Sequence, residues 1–210
     1  MKRYAAWWVC LALAGSAGAV DARTTTFTVL LDGEPIGEHR FVQTPQRDGL
    51  LELTSEANFQ VRLLGVPVYR YQHRAQELWQ GDCLQTLKAS TQDGGESTQV
   101  DASRVQGALV IETGERRQQV DGCLMSFAYW NPVMQRQNRL LNVQTGRIEQ
   151  VQLTRIETAQ IDVRGQMVSA QRWRLSGTER PLDVWWTAQG QWVGLDATVS
   201  GGRKLSYRLR

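Results

Sequence analysis

The chain has 210 residues, 41% hydrophobic, 8% aromatic and 21% charged, a composition that excludes disordered, collagenous and coiled-coil classes. Basic residues number 24 and acidic 21, a formal charge of +3; without Lys2 and Arg3 of the N-terminal segment the balance is 22 against 21, and no nucleic-acid footprint remains. The length suits one domain.

In chain order, residues 1–19 read as a signal peptide. Lys2 and Arg3 give a positive start, the run from Ala5 to Leu13 is apolar, and Ala17-Gly18-Ala19 supplies small residues for cleavage. Gly15, Ser16 and Gly18 cut the run short of the ~20 apolar residues a transmembrane anchor needs, so none is expected. Cys10 sits inside the apolar run, after Trp8-Val9, and lacks the small residue that precedes a lipidated cysteine. The expectation is export, periplasmic or secreted, with residues 20–210 as the mature domain.

The body reads as β almost throughout. Phe27, Val29 and Leu31 alternate with Thr28, and Asp32-Gly33 offers a hairpin turn before Ile36 to Val42 returns. Leu50 to Val61 and Val66 to Leu78 follow, with Pro67 restricting the second to an edge or a bulge at its start. Leu84 to Thr91 and Ser97 to Ala102 flank Asp93-Gly94-Gly95; Leu109 to Thr113 and Arg117 to Val120 flank Gly114. After residue 147 the spacing predicts strands at Ile148 to Ile156, Gln160 to Val163, Val168 to Leu175, Leu182 to Thr187, Trp192 to Val199 and Leu205 to Leu209. In the last, Leu205, Tyr207 and Leu209 share one face.

One stretch, about 124–146, breaks the rhythm. Asn131 before Pro132 is a helix-start signal, and a short helix is expected from Pro132 to about Asn138, with Phe127, Trp130, Met134 and Leu140 as apolar contacts. It serves either as a plug in the sheet or as a lid over a cavity. Cys83 and Cys123 are the two cysteines left after the leader; an even pair in an exported chain, without nearby His to complete a metal tetrahedron, points to a disulfide closing a loop of 40 residues.

No G-x-S-x-G, H-E-x-x-H, P-loop or dinucleotide motif occurs, so no catalytic residue, metal or cofactor is assigned. His73 and Glu77 share a strand face but stand roughly 13 Å apart in an extended chain, beyond hydrogen-bond reach. Six Trp in the mature body, at 79, 130, 173, 185, 186 and 192, fit either sheet packing or an aromatic-lined cavity, and at most one of Trp185 and Trp186 can face such a cavity.

The segments Val29 to Gly37, Val68-Tyr69-Arg70-Tyr71, Glu77 with Trp79, Gly81-Asp82-Cys83-Leu84, Phe127 to Pro132 and Leu140 to Gly146 resemble an exported bacterial family known as a domain of unknown function. The repeated strands and the ending with Val184-Trp185-Trp186, Gly190, Val193 and Tyr207-Arg208-Leu209 are similar to the half-barrel of lipoprotein carriers. That resemblance implies a long antiparallel sheet around a helical plug that holds acyl chains. The expected fold is thus mainly β, a long curved antiparallel half-barrel with a short helical insert. The expected function is non-catalytic binding of a lipid or other apolar molecule in the cell envelope; a structural or assembly partner for an envelope protein is the alternative, and an enzyme comes third. The candidate ligand contacts are Tyr69, Tyr71, His73, Trp79, Tyr129, Trp130, Asn131, Asn142, Gln144 and Trp185.

Overall fold

The structure, a computed structural model, describes residues 21–210, so the leader read in residues 1–19 lies outside the described residues. Eight strands form an unbroken meander: β1 (Arg23–Leu31), β2 (Glu34–Pro45), β3 (Leu50–Leu63), β4 (Val66–Gln80), β5 (Cys83–Asp93), β6 (Glu96–Val105), β7 (Ala108–Thr113) and β8 (Arg116–Asp121). Three short strands lie in the insert: β9 (Met125–Ser126), β10 (Arg139–Leu141) and β11 (Ile148–Gln150). A second meander follows: β12 (Gln152–Val163), β13 (Gln166–Ser176), β14 (Leu182–Thr187), β15 (Trp192–Thr198) and β16 (Lys204–Leu209).

The two meanders join through β16 and β1, giving one antiparallel sheet of 13 strands in the order β12-β13-β14-β15-β16-β1-β2-β3-β4-β5-β6-β7-β8. β12 and β8 are its two edges, so the sheet curves without closing into a barrel. Its tight connections rest on glycine. Asp32-Gly33, Gln106-Gly107 and Arg164-Gly165 each place two successive residues at positive φ, the backbone whose twist matches a two-residue hairpin. Leu64-Gly65 does the same, with Leu64 at φ 51°, where a non-glycine side chain costs about 1 kcal/mol.

Alternation decides which face is buried. On β4 the odd positions Tyr71, His73, Ala75, Glu77 and Trp79 point into the core. Phe27, Leu53, Leu87, Leu109 and Ile111 from neighbouring strands are all at most 2% exposed on the same side. The opposite face is not bare at every point. A Cβ on Gly194 would lie 2.7 Å from the Ile161 side chain, so the β12–β13 hairpin packs back over β15, above Trp185 and Asp196.

The insert carries the chain from one sheet edge to the other. Arg139 donates to the Asp121 carbonyl and Arg116 to the Thr145 carbonyl, 3.2 and 2.9 Å, while Val151 N–H donates to the Asn138 carbonyl on the far side. Gln118 also reaches the Gly146 carbonyl. Here the chains pass so closely that a Cβ on Gly146 would collide with the Thr113 hydroxyl. Leu124, Met125, Met134, Leu140 and Leu141 from the insert are at most 1% exposed, each burial contributing about 1.5–3 kcal/mol. The insert thus fills the open seam as part of the core.

Two expectations about this region change. The helix from Pro132 to Asn138 is a 3-10 turn, Pro132–Arg136, because Gln137 is already extended (φ −85°, ψ 146°) as the chain enters β10. Its start is as expected: the Asn131 side chain accepts from Val133 N–H at 2.9 Å, and its amide donates to Asp82 at 2.9 Å. The strand from Ile148 to Ile156 is two strands in two sheets, split at Val151. The strands expected to end at Ile156 and to restart at Gln160 are one: β12 runs through to Val163, with a register shift between Arg155 and Glu157 that leaves Ile156 46% exposed.

Cys83 and Cys123 are disulfide-bonded, tying the start of β5 to the start of the insert. Replacing either by Ser should lower stability by about 2–4 kcal/mol in chemical denaturation, and thiol labelling of the oxidised native protein should find neither cysteine reactive. Asn131→Ala should cost about 1–2 kcal/mol in the same assay, since it removes a cap and a side-chain bond together.

Candidate functional site

Strand register lines up two rows across the inner face. Thr91, His73, Ala57, His39 and Phe27 form one; Asp93, Tyr71, Phe59, Gly37, Val29 and Tyr207 form the next. Phe59 and Tyr71 stack with centroids 5.0 Å apart, and His39 lies on Phe41 at 4.1 Å. From the insert, Tyr129 packs on Trp192 at 5.3 Å, and Trp192 lies 6.4 Å from Tyr207. The result is an aromatic cluster on the concave face, a candidate cleft built from β1–β4, β15, β16 and the insert.

The cleft combines phenols with uncharged imidazoles. Burial first, and then proximity to the other tyrosines, raises the phenols of Tyr71 and Tyr207 above the usual range; Asp93 adds to the effect on Tyr71. Burial and the nearby Glu149 do the same for Tyr129. All three phenols therefore stay protonated, and Tyr71 and Tyr129 stand near enough to Tyr207 to act on it. Tyr69 donates to Asp93 at 2.6 Å, but the hydroxyls of Tyr71, Tyr129 and Tyr207 bond to no other described residue. Tyr129 and Tyr207 are half-buried and Tyr71 is 8% exposed.

His39 bonds Ser55 and His73 bonds Thr91, both at 2.9 Å, and the two rings lie 6.4 Å apart. Burial pushes their pKa values down to about 3 and about 4, with His73 adding to the effect on His39, so both are neutral across the physiological range. Deeper on β4, Glu77 accepts from Trp79 Nε1 at 3.0 Å and Ser126 Oγ at 2.9 Å; burial outweighs both bonds and lifts its pKa to about 7. Burial thus shifts His39, His73 and Glu77 toward their neutral forms, while Asp93 ends the row beside Tyr71. Among the described residues no group of three His, Cys, Asp or Glu side chains could hold a metal ion.

Of the residues singled out in the sequence, Tyr69, Tyr71, His73 and Tyr129 meet at this cleft. Trp79 is sealed in the core, edge-on to Trp130 at 5.3 Å. Trp130 lines a pocket of about 290 Å³ with Gln43 and Gln191, and this pocket shares Phe41 and Trp192 with the aromatic cluster. Asn131 caps the turn, and Asn142 holds another by bonding Glu149 and the Gln144 N–H, so Asn142 and exposed Gln144 stand outside the cleft. Trp185 also stands apart. It faces outward to donate to Asp196 at 2.9 Å with Arg172 over its ring, while Trp186 faces in and donates to the Tyr129 carbonyl. A groove of about 530 Å³ elsewhere on the outer face is lined by Gln76, Lys88, Asp101 and Glu112 and carries no aromatic side chain.

Sequence reasoning missed His39, Phe59, Trp192 and Tyr207 as cleft residues. Tyr207 had a signal, its place on the apolar face of the last strand, but its neighbours depend on the β16–β1 pairing between chain ends.

These buried groups set an acid response. Each histidine binds a proton in the unfolded chain near pH 6.5 and resists it when folded, so each loses stability as pH falls through 6.5 towards its folded value. Glu77 acts oppositely: its raised pKa makes the folded state gain stability as pH falls from about 7 towards 4.5. Two against one leaves a net loss of about 2–3 kcal/mol between pH 6.5 and 4.5. Urea unfolding at the two pH values should show that loss in the wild type and about twice as much in Glu77→Gln.

A solved beta-barrel-like protein of the domain of unknown function DUF1849 from Brucella abortus is similar in fold. Its TM-score is 0.62 at 8% identity, and the match covers 91% of this chain and 96% of that one. No curated protein matches the sequence. The family model of the domain of unknown function DUF6134 matches residues 27–210, nearly the whole described chain, and the protein belongs to that family.

Proposed function

We propose that this protein binds an uncharged apolar or amphipathic small molecule, without converting it, in the bacterial cell envelope, periplasmic or secreted. The observation that carries the reading is the set of three phenols, Tyr71, Tyr129 and Tyr207, whose hydroxyls stand in an aromatic cluster on the concave face with no hydrogen-bond partner among the described residues. Aromatic walls favour an apolar body, the hydroxyls and neutral imidazoles hydrogen-bond a polar end, and among the described residues no cation is hydrogen-bonded to these side chains, which disfavours a carboxylate or phosphate. The disulfide supports an oxidising compartment, in keeping with the signal-peptide reading of residues 1–19.

An apolar fluorophore should bind the folded protein with saturation and quench Trp emission, since Trp192 packs against two of the cleft tyrosines. Straight-chain alcohols should displace it, each added methylene tightening binding by about 0.8 kcal/mol, roughly fourfold. Tyr207→Phe keeps the ring and loses one hydrogen bond, so affinity should fall about tenfold with an unchanged melting curve. Absence of saturable binding at every chain length, in protein shown to be folded, would overturn the reading.

A further inference from the structure

We propose that the tip of the β3–β4 hairpin, residues 62–70, is a membrane-docking element that inserts into a bilayer containing anionic lipid. The hairpin outruns its neighbours. β2 pairs with β3 only as far as Gly37 opposite Phe59, and β5 pairs with β4 only from Asp93 opposite Tyr71. Gly94 N–H still donates to the Arg70 carbonyl and Tyr69 to Asp93, so residues 61–68 project as a two-stranded ribbon about 12 Å beyond the sheet. Its crown is apolar and in solvent: Leu64 is 97% exposed, Val66 61% and Val68 58%.

Charge and conformation both favour a lipid occupant. No acidic residue occurs from position 57 to 76, while exposed Arg62 and Arg70 flank the crown, complementing an anionic headgroup layer. Tyr69, half in solvent at the base, suits the interfacial zone. Pro67 removes a backbone donor from the ribbon, which works against strand addition by another protein. The turn itself is not optimised for folding. Leu64 occupies a left-handed position (φ 51°) that Asn or Asp adopts more readily, so an apolar side chain is held at the apex against the local backbone preference. Docking by this tip would bring Tyr69 and Tyr71, on the same strand, close to the membrane, but the inference stands whether or not the cleft binds a ligand.

Flotation with vesicles of phosphatidylcholine, alone or with about 30% phosphatidylglycerol, tests it on the full chain as purified. Every variant carries the same N-terminal segment, so any binding by residues 5–13 is common to all. The wild type should float with anionic vesicles and far less with neutral ones. Leu64→Asn should cut the bound fraction about tenfold while leaving the melting temperature equal or higher, because the turn relaxes. Arg62→Gln with Arg70→Gln should abolish the preference for phosphatidylglycerol, and Met167→Asn, on the β12–β13 hairpin, should change nothing. Failure of the wild type to float with anionic vesicles, or wild-type flotation by Leu64→Asn, would overturn the proposal. So would a lipid-free dimer that Leu64→Asn dissolves, which would make a second copy the occupant. Tyr207→Phe should float as the wild type does, so a failed cleft and a failed ribbon give different results.

Discussion

A sheet of 13 antiparallel strands that curves without closing has to hide a long apolar concave face and two edges, and the rest of this structure follows from how that is done. The chain starts in the middle of the sheet, builds one flank to β8, and must then cross to β12 to build the other. The insert makes that crossing through the gap between the edges. Backbone carbonyls at Asp121, Thr145 and Asn138 receive donors across the seam, and Met134, Leu140 and Leu141 fill the space beneath. The disulfide fixes where the crossing begins, and the Asn131–Asp82 bond fixes its first turn. A longer helix would not serve, since β10 must be extended by Arg139 to pair with β9 and β11.

The insert packs one part of the concave face with aliphatic side chains and leaves the remainder to aromatic ones. Where Leu and Met end, the rows carrying His39, His73, Tyr71 and Tyr207 begin, and polar groups bond side chain to side chain instead of to backbone. A sealed core would place aliphatic residues here, because each buried hydroxyl or imidazole needs a partner to offset its desolvation. The three phenols have none among the described residues, which sets this part of the face apart from a sealed core.

Much of this was legible in the sequence, and the parts that were not share a cause. Strand positions follow from period-two alternation and turns from Asp-Gly and Gly-Gly pairs, both local properties, so the elements are recovered to within a few residues. The cap at Asn131 and the cysteine pair are likewise local or arithmetical. Pairing is not. Nothing near Tyr207 indicates that it faces Val29 across 178 positions, which is what puts it in the same row as Tyr71. Alternation separates Trp185 from Trp186 but cannot say which faces in; Asp196 and Arg172 decide it by holding Trp185 outside. The split at Val151 and the bulge at Ile156 were hidden for the same reason, because both are set by the strands opposite.

The two faces of β14–β16 treat ionisable groups in opposite ways. Outside, burial raises the pKa values of Asp183 and Asp196, yet hydrogen bonds and charge from Arg174 and Arg172 on one, and from Ser206 and Arg208 on the other, outweigh it and keep both ionised. The partners stand close: Arg172 lies 2.6 Å from Asp183 and Arg208 2.8 Å from Asp196. Inside, His39, His73 and Glu77 receive hydroxyl or indole partners and no counter-charge, so each relaxes toward its neutral form. Among the described residues no arginine is hydrogen-bonded to a side chain of the concave rows. Burial therefore decides the protonation of the three inner groups, while counter-charge decides that of the two carboxylates outside.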